Sequence, residues 1–145
     1  MKLEIMKTQI NQRSWGTKSV SFWSVLILAL GIIFIGIRFI AQPEVGAEGY
    51  GIPFRDTGDA VYGQVKGIRD IFSGLVLLCL LSLRMRKAVA IVFSVSILVP
   101  ALDFIVILYH NGSTDLAHLL IHGITAVVML ITSILLFNVA RPVVG

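Results

Sequence analysis

The stretch Lys66–Leu83, KGIRDIFSGLVLLCLLSL, decides how the rest of the chain is read. Nothing from Ile71 to Leu83 is charged. At 1.5 Å per helical residue, however, that run covers only about 20 Å, whereas a bilayer core is about 30 Å thick. A crossing must therefore take its first turns from the KGIRD segment itself, which draws Arg69 and Asp70 into the hydrocarbon layer. Charged groups at that depth are costly and mark places of function or packing.

The surroundings of this stretch make a crossing the natural reading. The 145 residues are 57% hydrophobic and 14% charged, against about 25% charged in soluble domains. This length suits one membrane domain, 1–145, with no second unit. The net charge of +4 does not point to nucleic acid, because the basic residues are not gathered on a folded polar face. Cys79 is the single cysteine; it has no internal disulfide partner and reads as a small packing residue among leucines.

Downstream, Arg84, Arg86 and Lys87 form a basic turn tight enough to impose an antiparallel hairpin. The next apolar run, about 88–109, contains Pro100, which frees a backbone carbonyl and bends the helix. The turn His110–Asp115 leads into a last run, about 117–138. Upstream, 20–40 is long enough to span. It is longer than the core of a cleaved signal peptide, the rival reading for that segment. Residues 1–19 are polar and basic, with Trp15 and Trp23 placed as interfacial anchors. Residues 41–67 are rich in glycine, carry two prolines and still hold Val45, Tyr50, Ile52, Phe54, Val61 and Tyr62. That composition predicts an ordered loop capping one end of the molecule.

The expected fold is therefore all-α: an integral membrane antiparallel four-helix bundle with spans at about 20–40, 64–83, 88–109 and 117–138. Lys2, Lys7, Arg13, Lys18, Arg84, Arg86, Lys87 and Arg141 share one side, with Glu4 the only acidic residue there. The positive-inside rule puts that side, and both termini, in the cytoplasm of a cell inner or plasma membrane.

Depth then gathers the buried ionisable groups. Counted from the cytoplasmic helix ends, Arg69 and Asp70 lie about 20 Å up, and Asp103 and His122 about 22 Å. Arg38, Lys66, His110 and His118 lie nearer the outer surface. At helical spacing, Lys66, Arg69, Asp70 and Ser73 share a stripe, as do Asp103, Ile107 and His110. His118, His122, Thr125 and Met129 share another. Lipid cannot satisfy such groups, so they are expected to face inward around a polar pocket in the outer leaflet.

Several chemistries fit this layer. Asp103 and His122 can form a catalytic proton-transfer pair, the carboxylate orienting the imidazole, with Arg69 holding an anionic group. Arg69 with Asp70 or Asp103 can instead be a buried ion pair that only fixes helix packing. His118 and His122, one turn apart, could ligate a metal with Asp103 as third ligand; this is the weaker alternative, and no cofactor is specified by the sequence. The motifs of zinc proteases, P-loops, dinucleotide folds and α/β-hydrolases are missing. The expected partners are membrane lipid and an amphipathic small molecule, not nucleic acid, and an oligomer is left open.

With these residues in view, the chain resembles a family of small four-span membrane proteins classed as a domain of unknown function, four-two-six-seven in that series. The resemblance rests on Ala41-Gln42-Pro43 through Gly46, Gly49-Tyr50-Gly51-Ile52-Pro53, Lys66-Gly67-Ile68-Arg69-Asp70, Pro100 with Asp103, and Ala117-His118. It implies a four-helix membrane fold and carries no established activity. Small four-span proteins that isomerise or cyclise lipids offer only a fold-level analogy. Two functions are thus carried forward: conversion or binding of a lipid-like molecule by acid–base chemistry, and a non-catalytic accessory subunit whose buried charges specify assembly.

Overall fold

The computed structural model describes residues 15–56 and 58–138. The basic side chains Lys2, Lys7, Arg13 and Arg141, on which part of the charge asymmetry rests, lie outside them, as does most of the 1–19 segment. The described chain is helical, in six segments: α1 Val20–Ala41, α2 Pro43–Tyr50, α3 Asp59–Ser82, α4 Arg86–Ser96, α5 Leu98–Asn111 and α6 Leu116–Phe137. Three lengths are long and apolar enough to cross a membrane: α1, α4 continued by α5, and α6. Helix α3 is as long, at 24 residues, but Lys66, Arg69 and Asp70 interrupt its apolar character.

Pro100 divides α4 from α5. It has no N–H for the carbonyl of Ser96, and the helix is interrupted three residues before it, at Ile97. Helix α3 begins at Asp59 rather than near Gln64, because the Asp59 carboxylate accepts the backbone N–H groups of Arg55 (3.0 Å) and Asp56 (3.2 Å). The 41–67 segment is therefore less of a loop than its glycines suggest. It is a short helix, a connection and the first turns of α3.

Packing starts from glycine. Helix α1 runs antiparallel to α3, and no other pair of helices packs so extensively. A Cβ added to Gly67 would lie 2.5 Å from the Gly36 carbonyl oxygen, and one on Gly36 would lie 2.6 Å from that of Gly67. Only residues without side chains let two backbones approach this closely. Gly63, Gly67, Gly74, Leu77 and Leu81 form the buried face of α3. Arg69 lies about 120° around the helix from the centre of that face, so it is exposed, and so is Ser73. The inward-facing Arg69 expected from the sequence is thus corrected: the glycine seam sets the helix rotation.

Helices α4 and α5 run antiparallel to α6. The Ser94 and Ser133 hydroxyls hydrogen-bond across α4 and α6, and Phe104 lies against Gly123 farther along. At the α3–α4 end, Arg86 donates from Nε to the Leu136 carbonyl (2.9 Å) and from Nη2 to those of Leu135 (3.1 Å) and Asn138 (2.9 Å). These carbonyls have no partner within α6, and a cation there also meets the negative end of the helix dipole. Arg86→Ala is expected to cost about 2 kcal/mol and to speed amide exchange over the last turn of α6. Unchanged exchange would show that the cap is dispensable.

The apolar core clusters at this same end, with Trp15, Val25, Leu77, Leu81, Val89, Phe93, Met129 and Leu136. Trp15 is only 3% exposed and donates from its indole to the Ser21 hydroxyl at 3.0 Å. It is a core residue and not the surface anchor expected, whereas Trp23 is half exposed. Cys79 is exposed rather than packed. The outward faces remain apolar, including Ile27, Phe34, Leu102, Ile105, Ile121, Ile124 and Ile131. Water penalises a surface of that kind and lipid does not.

Candidate functional site

The opposite end of the molecule holds the polar groups, and α2 is what brings them together. Pro43 opens this helix and Gly51 closes it in the left-handed conformation, φ +106°, following the usual asymmetry of helix ends. A Cβ on Gly51 would also fall 2.8 Å from His118 Cγ. The closing turn is fastened to the α5–α6 connection. Asn111 Nδ2 donates to the Gly51 carbonyl (2.6 Å) and to Asp115 (2.6 Å), and His118 Nδ1 lies 2.8 Å from Asp115 Oδ1.

The Asp115 carboxyl is held below the usual carboxylate range, first by the Asn111 hydrogen bond and then by His118. With its folded value depressed, the stabilisation is present above the unfolded carboxylate range and is lost as pH falls through the folded value. Amide protection over residues 112–118, taken relative to the intrinsic exchange rate at each pH, is therefore expected to fall as pH drops through the folded Asp115 value. In Asp115→Asn that acid-dependent step should disappear. A step unchanged in the variant would assign it elsewhere.

This fastening places Tyr50 over the helix ends. Its hydroxyl donates to Asp103 Oδ1 at 2.7 Å. Its carbonyl accepts from His122 Nε2 at 3.2 Å, and its ring meets the imidazole edge-on with centroids 5.1 Å apart. A carbonyl only accepts, so this bond puts the His122 proton on Nε2 and leaves Nδ1 toward Asp103 Oδ2, 3.7 Å away. The Tyr50 phenol is pushed well above its ordinary pKa, by burial first, then by the Asp103 hydrogen bond, and then by the charges of Asp103 and Asp70. It is a donor that keeps its proton.

On the α3 side, Lys66 Nζ lies 2.5 Å from Asp70 Oδ2. It also sits over the Phe39 ring at 4.4 Å and the Tyr50 ring at 5.4 Å from the centroids. Tyr50 therefore links two halves: Lys66 and Asp70 on α3, and Asp103 and His122 on α5 and α6. Asp70 has a lysine partner, whereas Asp103 meets only Tyr50 and His122 among the described ion pairs and hydrogen bonds.

Within the layer the charge pairing differs from the expected one, and Arg38, Arg69, His110 and His118 fall outside it. Asp70 pairs with Lys66 one turn away, so the expected ion pair to Arg69 is replaced. Arg38 is exposed and reaches the Val45 carbonyl at 3.5 Å. His110 is exposed against Tyr109. His118 turns to Asp115, and among the described residues no three His, Cys, Asp or Glu side chains gather as a metal set. The alternative ligand group His118, His122 and Asp103 is not assembled. Tyr50, the residue that joins the layer, reads from sequence as one of the capping side chains of 41–67, and nothing in its setting between two glycines marks it as a polar-site residue.

Fold and site together define an all-α protein with spans of membrane length and a polar layer at one end. The chain belongs to the family described as domain of unknown function DUF4267, whose model matches residues 29–136. No curated protein and no solved structure matches it.

Proposed function

We propose that this is a four-span integral membrane protein, with α3 as the fourth crossing and both termini cytoplasmic. In this reading the Tyr50–Asp103–His122 group lies in the outer leaflet and performs acid–base chemistry on an amphipathic, lipid-like molecule. The observation that carries it is the 3.7 Å approach of His122 Nδ1 to Asp103 Oδ2, while Nε2 and Oδ1 are each tied to Tyr50. A single proton placed in that gap can reside on either group. Tyr50 orients both and does not compete for it. Helix α2 would cover the group, and Lys66 would offset the Asp70 charge beside it.

A second reading has its own support. Among the described residues, no buried side-chain nitrogen or oxygen is left without a hydrogen bond, as a purely structural polar layer requires. Under that reading the protein is an accessory subunit and the layer fixes helix packing. The two separate on incubating the protein in vesicles of its native lipids in D2O and examining the extracted lipids by mass spectrometry. Acid–base chemistry predicts a deuterium-labelled or converted species with the wild type, lost in Asp103→Asn and His122→Gln variants that still fold. Identical extracts from all three proteins would leave the structural reading standing.

A further inference from the structure

The rotation that removes Arg69 from the polar layer places it somewhere more informative. Around α3, Tyr62, Val65, Arg69 and Phe72 occupy one face, opposite the glycine seam, and all four are exposed. The Arg69 guanidinium forms no hydrogen bond, ion pair or ring contact with another described residue, while its carbonyl accepts from the Ser73 hydroxyl at 2.8 Å. Lys66, three residues before Arg69, is held by Asp70. The structure therefore presents a guanidinium on a face that is otherwise aromatic and aliphatic.

We infer that this face is a lateral binding site for an anionic phospholipid of the outer leaflet. Arg69 takes the phosphate, Tyr62 and Val65 lie on its headgroup side, and Phe72 lies along an acyl chain. The inference rests on α3 crossing the membrane, as in the proposed function. Three physical points converge on it. A permanent cation facing hydrocarbon has to reach the interface or meet an anion. Helical side chains lean toward the helix N-terminus, which is the outer end of α3, so Arg69 leans up toward Tyr62, about 10 Å above it. The guanidinium fork matches phosphate oxygens two at a time, and the tyrosine ring suits the interface. The occupant is a lipid, not a soluble phosphate compound, because the flanking side chains are apolar and exposed on the lateral surface.

The test uses the full chain in nanodiscs of mixed phosphatidylglycerol and phosphatidylcholine, with the retained lipid counted by native mass spectrometry. The wild type is expected to retain phosphatidylglycerol about fivefold above its bulk share. Arg69→Gln, on an exposed face and so not expected to unfold the protein, should bring retention down to the bulk share. Arg69→Lys should keep part of it, and Tyr62→Ala should lower it. Equal enrichment in wild type and Arg69→Gln overturns the site, as does a dimer that forms with Arg69 and is lost in Arg69→Gln. In a Cys79→Ala background, Phe72→Cys separates this failure from that of the span. If it reacts with a water-soluble maleimide, α3 does not cross; if it is shielded and no lipid preference is seen, only the lipid site is wrong.

Discussion

Replacing Gly67 with leucine is expected to destabilise the protein by about 3 kcal/mol, the upper part of the range for overpacking. The reason is the identity of the obstructing atom. A Cβ at position 67 would stand 2.5 Å from the Gly36 carbonyl oxygen and 2.9 Å from Ile40 Cγ1. A side chain could rotate away, but here a helix backbone must move, and with it the whole α1–α3 seam. Gly31→Leu is the internal control, because a Cβ there meets nothing within 4 Å. Thermal unfolding in nanodiscs should show a large drop for position 67 and little change for position 31. Equal midpoints would mean that the two helices do not touch through their glycines.

The second large effect lies in the polar layer. Lys66→Met is expected to cost about 3 kcal/mol, because it leaves Asp70 without its ion-pair partner. The Asp70 side chain is 14% exposed, so water cannot take over the role of Lys66. The reverse single change, Asp70→Leu, should cost less, because Lys66 is 34% exposed and its long stem can carry the ammonium outward. Changing both residues together should recover much of the loss, since a buried pair adds little net stability over apolar residues of similar volume. A double variant no more stable than Lys66→Met would show that Asp70 is not held by Lys66.

These two effects mark where the sequence was sufficient and where it was not. The long apolar runs are legible because a hydrophobic helix must be both uninterrupted and long. Helix α1 at Val20–Ala41 and α6 at Leu116–Phe137 fall within a residue of the ranges read from 20–40 and 117–138. The interruption just before Pro100 is legible for a local reason, a missing donor. The shared depth of Asp103 and His122 is also legible, since rise per residue is a fixed length, and these two residues do meet.

Facing on α3 is a different problem. Lys66, Arg69 and Asp70 all belong to one stripe by spacing, but the inward direction is chosen by what α1 offers. Gly36 against Gly67, Ala29 and Ile33 against Gly74, and Pro43 and Phe54 against Gly63 turn the glycines inward and Arg69 outward. The Gly63-x-x-x-Gly67 spacing carries half of that information, and the other half sits on another helix. Tyr50 was illegible for a related reason. Its role depends on a left-handed turn at Gly51 fastened by Asn111, some 60 residues away, and no local pattern encodes that contact.

The proposed topology requires α3 to cross the bilayer despite Lys66, Arg69 and Asp70, and the sidedness of the connections decides it. In a Cys79→Ala background, single cysteines at Asp56, Met85 and Ser113 can be probed with an impermeant maleimide on intact cells and again after permeabilisation. With α3 crossing, positions 56 and 113 label from outside and position 85 labels only once the cytoplasmic side is opened. Labelling of positions 56 and 85 from the same side would contradict that topology.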